Sequence, residues 1–355
     1  MSIFEDVADA PAPETTGGSG GGTVPTAEGG KEPGRGKRRK TIIALIIILA
    51  LLLLVGGIFV WYLITHKPIT ALPIVPQSQT PGYQYSILNV QQPLGVAVNS
   101  DGSRIYITQS AGPGTTIVVD RSGKTLATLV PPKSTGKMHE PVYVAISPVT
   151  GNVFVSDRDT GAIYVYSSEG KFLQTLAHKG VTGLWIPLGL GFDQAGNLYV
   201  TEALPKTSRV FVMSPQGQVE RILKSPTSMS FPNGVAVDSK GNVVVTDSNN
   251  GRALIFDAQG KVAWTISAGS APGDLGLPRG AAFDSQGHLD IVDTTDQSVR
   301  VYQLKPKGAI NFLGSFGDQG VGNGLFQYPN GAAADSRAHV YITDRVNNRV
   351  QVWSY

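Results

Sequence analysis

Two patterns of apolar residues divide this chain. Residues 42–64, IIALIIILALLLLVGGIFVWYLI, run 23 positions without a charge. A helix rises 1.5 Å per residue, so this run is long enough to cross a hydrocarbon core about 30 Å thick. Seventeen of the 23 are Ile, Leu, Val or Phe, and their insertion into lipid gains roughly 5 to 10 kcal/mol. From residue 83 the pattern changes to short alternating runs separated by Gly, Asn and Asp. The segment PNGVAVDSKGNVVVTDSNNGRALIFDAQGKVAWTIS holds four of them. Period-2 alternation with turn residues between predicts a four-stranded antiparallel sheet.

That unit recurs. Its anchors are Pro93, Pro141, Pro187, Pro232, Pro278 and Pro329, spaced 48, 46, 45, 46 and 51 residues apart. Four strands at a period near 45 residues predict propeller blades. The expected fold is all-β, a six-bladed β-propeller of four-stranded antiparallel blades. The last copy, YPNGAAADSRAHVYITDRVNNRVQVWSY, contains three strand-like runs and no fourth. The unassigned run YQYSILNV (83–90) is predicted to pair with it. Such pairing closes the ring and removes the open edges of a linear stack.

Four segments follow: a disordered cytoplasmic tail (1–40), a transmembrane helix (41–65), a Pro-rich tether (66–82) and the propeller (83–355). The tail is dominated by Gly, Ser, Thr, Pro and charge, and cannot bury enough apolar surface to offset its chain entropy. Its end, GRGKRRK, stays cytoplasmic by the positive-inside rule, which puts the propeller on the extracytoplasmic side of the cell membrane. The apolar run is too long for a cleaved signal peptide, and no A-x-A site follows it. The tether carries four prolines in 17 positions, an extended spacer of up to ~50 Å.

Composition narrows the chemistry. The chain of 355 residues has no cysteine, which excludes disulfides, thiolate zinc sites, iron–sulfur clusters and a cysteine nucleophile. Residues 83–355 carry 22 basic and 20 acidic groups. That near-neutral balance argues against a nucleic-acid partner.

The repeats resemble the NHL family of six-bladed β-propellers. YPNGAAADSRAHVYITDRVNNRVQVW and FPNGVAVDSKGNVVVTDSNNGRALIFD follow its P-x-G-[VIA]-A-x-D … [TS]-D … N-R-[VI]-Q-V signature. Blade 2 departs from it with Tyr143 in place of Gly, and Gln109 and Glu202 stand where other blades have Asp157, Asp247, Asp293 and Asp344. With its anchor, the chain resembles the extracytoplasmic propeller sensors of bacterial receptor kinases. The resemblance implies a binding, scaffold or sensor module for a protein, peptide or glycan partner.

Candidate site residues come from the position after each anchor proline. There the innermost strand starts at one mouth of the central channel. The six residues are Leu94, Val142, Leu188, Asn233, Arg279 and Asn330, with Glu140 just before its proline. Glu140, Asn233, Arg279 and Asn330 form the candidate ligand site, because pockets with a few convergent polar groups are where ligands bind. Blades 2 and 5 face one another in a six-membered ring, so Glu140 and Arg279 are expected to oppose across the channel. An alternative reading is a metal-dependent lactonase or lyase. Gluconolactonase-like propellers bind calcium at this mouth, and by that resemblance Glu140 and Asn233 are its ligands. Arg279 replaces the aspartate expected there, and a guanidinium repels a cation. No catalytic residue, metal or cofactor is therefore assigned. The repeated aspartates are read as turn residues. His288 and His339 are read likewise, and His139 is the one histidine expected near the mouth.

Overall fold

The structure is a computed structural model that describes residues 35–65, 79–133, 138–181, 183–204, 207–305 and 309–355. Residues 1–34 of the tail and most of the tether lie outside the described residues, whereas residues 35–40, expected to be disordered, are helical. The chain divides into two units, at Val75/Pro76.

In the first unit, helix α1 spans Arg35–Thr65. It starts before the expected boundary because Arg and Lys are good helix formers, so the basic run continues the helix. The window Ile42–Phe59 has mean hydropathy 3.3 and is long and apolar enough to cross a membrane.

The second unit is a six-bladed β-propeller, with 24 strands among the described residues. Strand β1 is Gly82–Ile87. Blade 1 holds β2–β5 (Pro93–Val98, Ile105–Gln109, Thr116–Val119, Thr125–Leu129), and blade 2 holds β6–β9 (Pro141–Ile146, Val153–Asp157, Ala162–Tyr166, Phe172–Thr175). Blade 3 holds β10–β13 (Pro187–Phe192, Leu198–Glu202, Arg209–Met213, Val219–Leu223), and blade 4 holds β14–β17 (Pro232–Val237, Val243–Asp247, Arg252–Phe256, Val262–Ile266). Blade 5 holds β18–β21 (Pro278–Phe283, His288–Asp293, Ser298–Leu304, Ile310–Phe316), and blade 6 holds β22–β24 (Pro329–Ala334, His339–Asp344, Arg349–Ser354). The missing fourth strand of blade 6 is β1, which pairs antiparallel with β24 from Gly82↔Ser354 to Ile87↔Val350.

Each anchor proline is the first residue of its innermost strand, where its missing N–H costs the ladder nothing. A β-bulge follows in every blade: in blade 1, Pro93 pairs with Gln109, but the next pair is Val96 with Ile107. The same shift recurs in the other five. The bulge releases the glycine N–H from the ladder, and a hydroxyl on the second strand receives it. Gly95 N–H donates to Thr108 Oγ1 at 2.7 Å, and Thr108 Oγ1 donates to the Val142 carbonyl of the next blade at 2.8 Å. Ser156 reaches Leu188 O (2.6 Å), Thr201 reaches Asn233 O (2.9 Å), Thr246 reaches Arg279 O, and Thr343 reaches Leu94 O (2.9 Å). Blade 5 has Val292 at this position, and Thr294 Oγ1 makes the link to Pro329 O at 2.7 Å instead. The glycine is required by the close approach of the next blade. A Cβ on Gly234 would lie 2.5 Å from Arg279 O, and one on Gly331 would lie 2.5 Å from Leu94 O.

The core is six face-to-face seams, one between each pair of neighbouring blades. Second strands are buried on both faces, whereas β9 on the outside is exposed along its length. The closing strand contributes Ile87, 1% exposed, to the seam between blades 6 and 1. Its Tyr83 meets Trp353 edge-on at 5.8 Å.

Blade 5 shows a substitution across blades. Tyr341 in blade 6 sends its hydroxyl to Asp335, 3.1 Å away. The corresponding position in blade 5 is Asp290, fully buried. Tyr355, beyond β24, packs its ring 5.1 Å from His288 and points its hydroxyl at Asp290 Oδ1 (3.4 Å). Burial pushes the Asp290 carboxyl well above the usual carboxylate range, and the nearby Asp284 charge adds to this. His288 pairs with Asp284 at 2.9 Å.

Two outcomes follow. Truncating Ile87→Ala removes buried contacts of the closing strand and is expected to cost about 2–4 kcal/mol in urea unfolding; an unchanged midpoint contradicts a structural role for closure. A raised folded-state pKa means that Asp290 is neutral at low pH and that stability falls as pH rises through the folded value. Asp290→Asn is therefore expected to melt higher than the parent at pH 8 and to flatten the decline above the ordinary carboxylate range. An identical pH profile in both proteins contradicts this.

Candidate functional site

The six residues that follow the anchor prolines line one cavity of about 150 Å³ at the channel mouth, together with Glu140, Arg158, Phe231, Thr294, Tyr328 and Arg345. The expected site residues Glu140, Asn233, Arg279 and Asn330 are thus brought together. Blades 1–3 supply Leu94, Val142 and Leu188, and blades 4–6 supply the polar wall. Arg158, Phe231, Tyr328 and Arg345 were not singled out from the sequence. They sit in loops beside the second strands or before the prolines, outside the repeat signature.

The rim carries backbone strain. Gln92, Phe231 and Tyr328 each precede an anchor proline and have φ of 42°, 55° and 52°. Non-glycine residues pay of order 1–2 kcal/mol for that conformation, which clusters at binding sites. It turns the Phe231 and Tyr328 side chains into the lining.

The charges arrange differently from expectation. Glu140 does not face Arg279 as an ion pair. Its carboxylate is held by Arg158 of the same blade, at 2.5 and 2.7 Å. Asp157 ends β7 beside Arg158, and the bond from Arg158 N–H to Glu140 O (3.0 Å) brings the two side chains together. Arg279 is left without a counter-ion among the described residues. Its Nε is buried with no hydrogen-bond partner among the described residues, and its guanidinium lies 5.9 Å from the Phe231 ring centre. Burial lowers its pKa; the Tyr143 phenol opposes that shift, and Arg345 adds to it.

Tyr143, the residue that breaks the glycine pattern, crosses the channel from blade 2. Its hydroxyl donates to Asn233 Oδ1 of blade 4 at 2.5 Å, and Asn330 of blade 6 also interacts with it. Burial raises the phenol's pKa, so it stays a neutral donor. Asn330 donates from Nδ2 to Leu94 O at 2.9 Å. Both asparagines are nearly fully buried, so their amides are fixed by these partners.

The residues proposed from resemblance as calcium ligands are engaged elsewhere, Glu140 by a guanidinium and Asn233 by a hydroxyl. Among the described residues no three His, Asp or Glu side chains gather to hold a metal ion. His139 is absent from the mouth: its ring is held by Asp157 (2.8 Å) and the Pro132 carbonyl (3.0 Å). His288 and His339 were expected in turns but are the first residues of β19 and β23, each bonded back across the preceding turn to Asp284 or Asp335 at 2.9 Å. The acids that end the second strands do more than cap their own turns. Asp247 accepts the Ser230 N–H of the incoming loop (2.6 Å) and pairs with Arg252 (2.7 Å), and Asp344 does the same with Gln327 (2.7 Å) and Arg349 (2.7 Å). Glu202 pairs with Arg209 at 2.6 Å. These buried pairs tie each loop to its blade and leave those acids committed to structure.

Comparison with known proteins agrees with this architecture. Residues 229–256 and 326–353 match the NHL repeat. Protein brain tumor of Drosophila melanogaster is 29% identical over 130 residues, 36% of this chain and 12% of that protein. B-box type zinc finger protein ncl-1 of Caenorhabditis elegans is 29% identical over 135 residues, 37% of this chain and 16% of that protein. The matched stretch is thus a small part of both relatives. A streptogramin B lyase structure superposes with a TM-score of 0.57 at 14% identity, over 77% of this chain and 98% of its own. At that identity the likeness is one of fold.

Proposed function

We propose that this chain is a membrane-tethered interaction module whose propeller stands outside the cell and recognises a protein partner at the channel mouth. The observation that carries the reading is Arg279, a half-buried guanidinium with no counter-ion among the described residues, in a cavity with a strained rim. Leaving such a group unpaired costs free energy, and a ligand that pairs with it recovers that cost. NHL repeats on a six-bladed propeller fit an interaction or scaffold role. Tethering rests on the Ile42–Phe59 window, none of which is buried within the chain. The side of the membrane rests on the basic run Arg35–Lys40.

The absence of cysteine allows one experiment to test both parts. Full-length chains carrying Tyr328→Cys at the mouth, Val149→Cys at the opposite end of blade 2, or Ser19→Cys in the tail are treated on intact cells with a membrane-impermeant benzophenone maleimide and then illuminated. The expected result is labelling at 328 and 149 but not at 19, with a discrete protein adduct from 328 alone. Labelling at 19 alone overturns the topology. Labelling at 328 without an adduct overturns recognition at the mouth.

A further inference from the structure

The cavity at the channel mouth has an uneven supply of donors, acceptors and charge. Its charged residues are Arg158, Arg279, Arg345 and Glu140. The one carboxylate is already engaged by Arg158. Arg345 is exposed on the rim, and Arg279 stands half-buried behind it, its Nε without a hydrogen-bond partner among the described residues. The amides are biased in the same direction. Tyr143 donates its hydroxyl to Asn233 Oδ1, which occupies that residue's acceptor and leaves its Nδ2–H donors for the cavity it lines. Asn330 spends a donor on Leu94 O, so the free donors are concentrated on blades 4 and 5. Opposite them stand Leu94, Val142 and Leu188.

A site with spare charged and amide donors on one wall and aliphatic side chains on the other fits an anion carried on a short apolar stem. The volume of about 150 Å³ is that of a cavity able to hold roughly six carbon-sized atoms. A guanidinium with free N–H groups matches a planar carboxylate in two parallel hydrogen bonds. We infer that the channel mouth is a carboxylate-binding site, in which Arg279 and Asn233 hold the carboxylate and the wall of blades 1–3 takes its aliphatic stem. This inference rests on the interaction-module reading and names the chemistry the partner presents there. A glutamate side chain and the free carboxylate at a peptide's end both have this form. Tyr143 is a positioning residue: it fixes the Asn233 amide and touches no ligand. Blade 2 departs from the glycine pattern at this one position to place that phenol in the channel.

The test is calorimetric titration of the purified full chain in a non-ionic detergent with three probes: acetyl-Gly-Glu-Gly-amide, acetyl-Gly-Gln-Gly-amide, and acetyl-Gly-Gly-Leu with a free carboxylate. At least one acid is expected to bind ten-fold or more tighter than the glutamine peptide, the ratio expected for a charge-assisted pair. Which acid binds identifies the source of the carboxylate. Arg279→Gln is expected to lose that preference. Arg279→Lys, which keeps the charge but not the fork, is expected to retain part of it, and thermal melting checks that both variants fold. Tyr143→Phe is expected to weaken both acids several-fold and leave their preference over glutamine in place. Equal binding of the acids and the glutamine peptide, or no binding of either acid, overturns the proposal. So does retention of the acid preference in a folded Arg279→Gln chain. Tighter competition by inorganic phosphate than by either acid also overturns it. A cross-linked adduct from residue 328 together with failure of both acids would leave the interaction module standing and remove the carboxylate. Acid binding without any adduct would do the reverse.

Discussion

The propeller depends on one contact repeated around its axis. At the bulges of five blades a hydroxyl accepts the N–H of its own blade and donates to a carbonyl of the next. One side chain thereby satisfies two backbone groups that the sheet ladders leave out, and unpaired buried backbone groups are expensive. The contact also sets the spacing of neighbouring blades: where the residue is glycine the innermost strands approach closely enough to exclude a Cβ, and in blade 2 Tyr143 makes the same link through Ser156. Where Val292 removes the hydroxyl, Thr294 restores the link from two residues along. The ring tolerates a change in the donor's position but keeps a link at every junction.

The same geometry builds the mouth. A bulge turns the residue after each proline out of the ladder, and six such residues meet around the axis. Their backbones are fixed by the hydroxyl links, since the carbonyls of Val142, Leu188, Asn233, Arg279 and Leu94 are the acceptors. Side chains at these positions are therefore the variable part of a rigid frame. Blades 1–3 use this freedom for aliphatic groups and blades 4–6 for Asn and Arg. The buried acid–arginine pairs behind the rim belong to the frame as well, which separates Asp247 and Asp344 from Arg279 in role although all three sit at the same end of the blades.

Much of the fold was legible in the sequence because the repeat restates the same physical requirements six times. Period-2 alternation marked the strands, proline marked the start of each innermost one, and the shortfall of one strand in the last copy pointed to residues 83–90, of which 83–87 belong to β1 (Gly82–Ile87). The rim residues were legible too, because their position is fixed relative to the proline. The pairing of those residues was not. Arg158 lies 18 residues from Glu140 and just beyond a second strand, where no repeat position announces it. Tyr143 was visible as a departure, but the residues its hydroxyl reaches, in blades 4 and 6, follow only from the closed ring. Tyr355 filling the place vacated by Asp290 is of the same kind. The first joins two loops of one blade and the other two join different blades, and sequence periodicity within a blade encodes none of them.

The most direct measurement of the central claim, that linked blades form one closed and rigid frame, is native-state hydrogen exchange at the bulge amides of Gly95, Tyr143, Gly189, Gly234 and Gly331. These N–H groups donate to the linking hydroxyls, so each reports on its own junction. The account predicts a single opening free energy at all five, equal to that of global unfolding. Faster exchange of Gly331 and Gly95 through a separate, lower-energy opening, with blades 2–4 still protected, would contradict it.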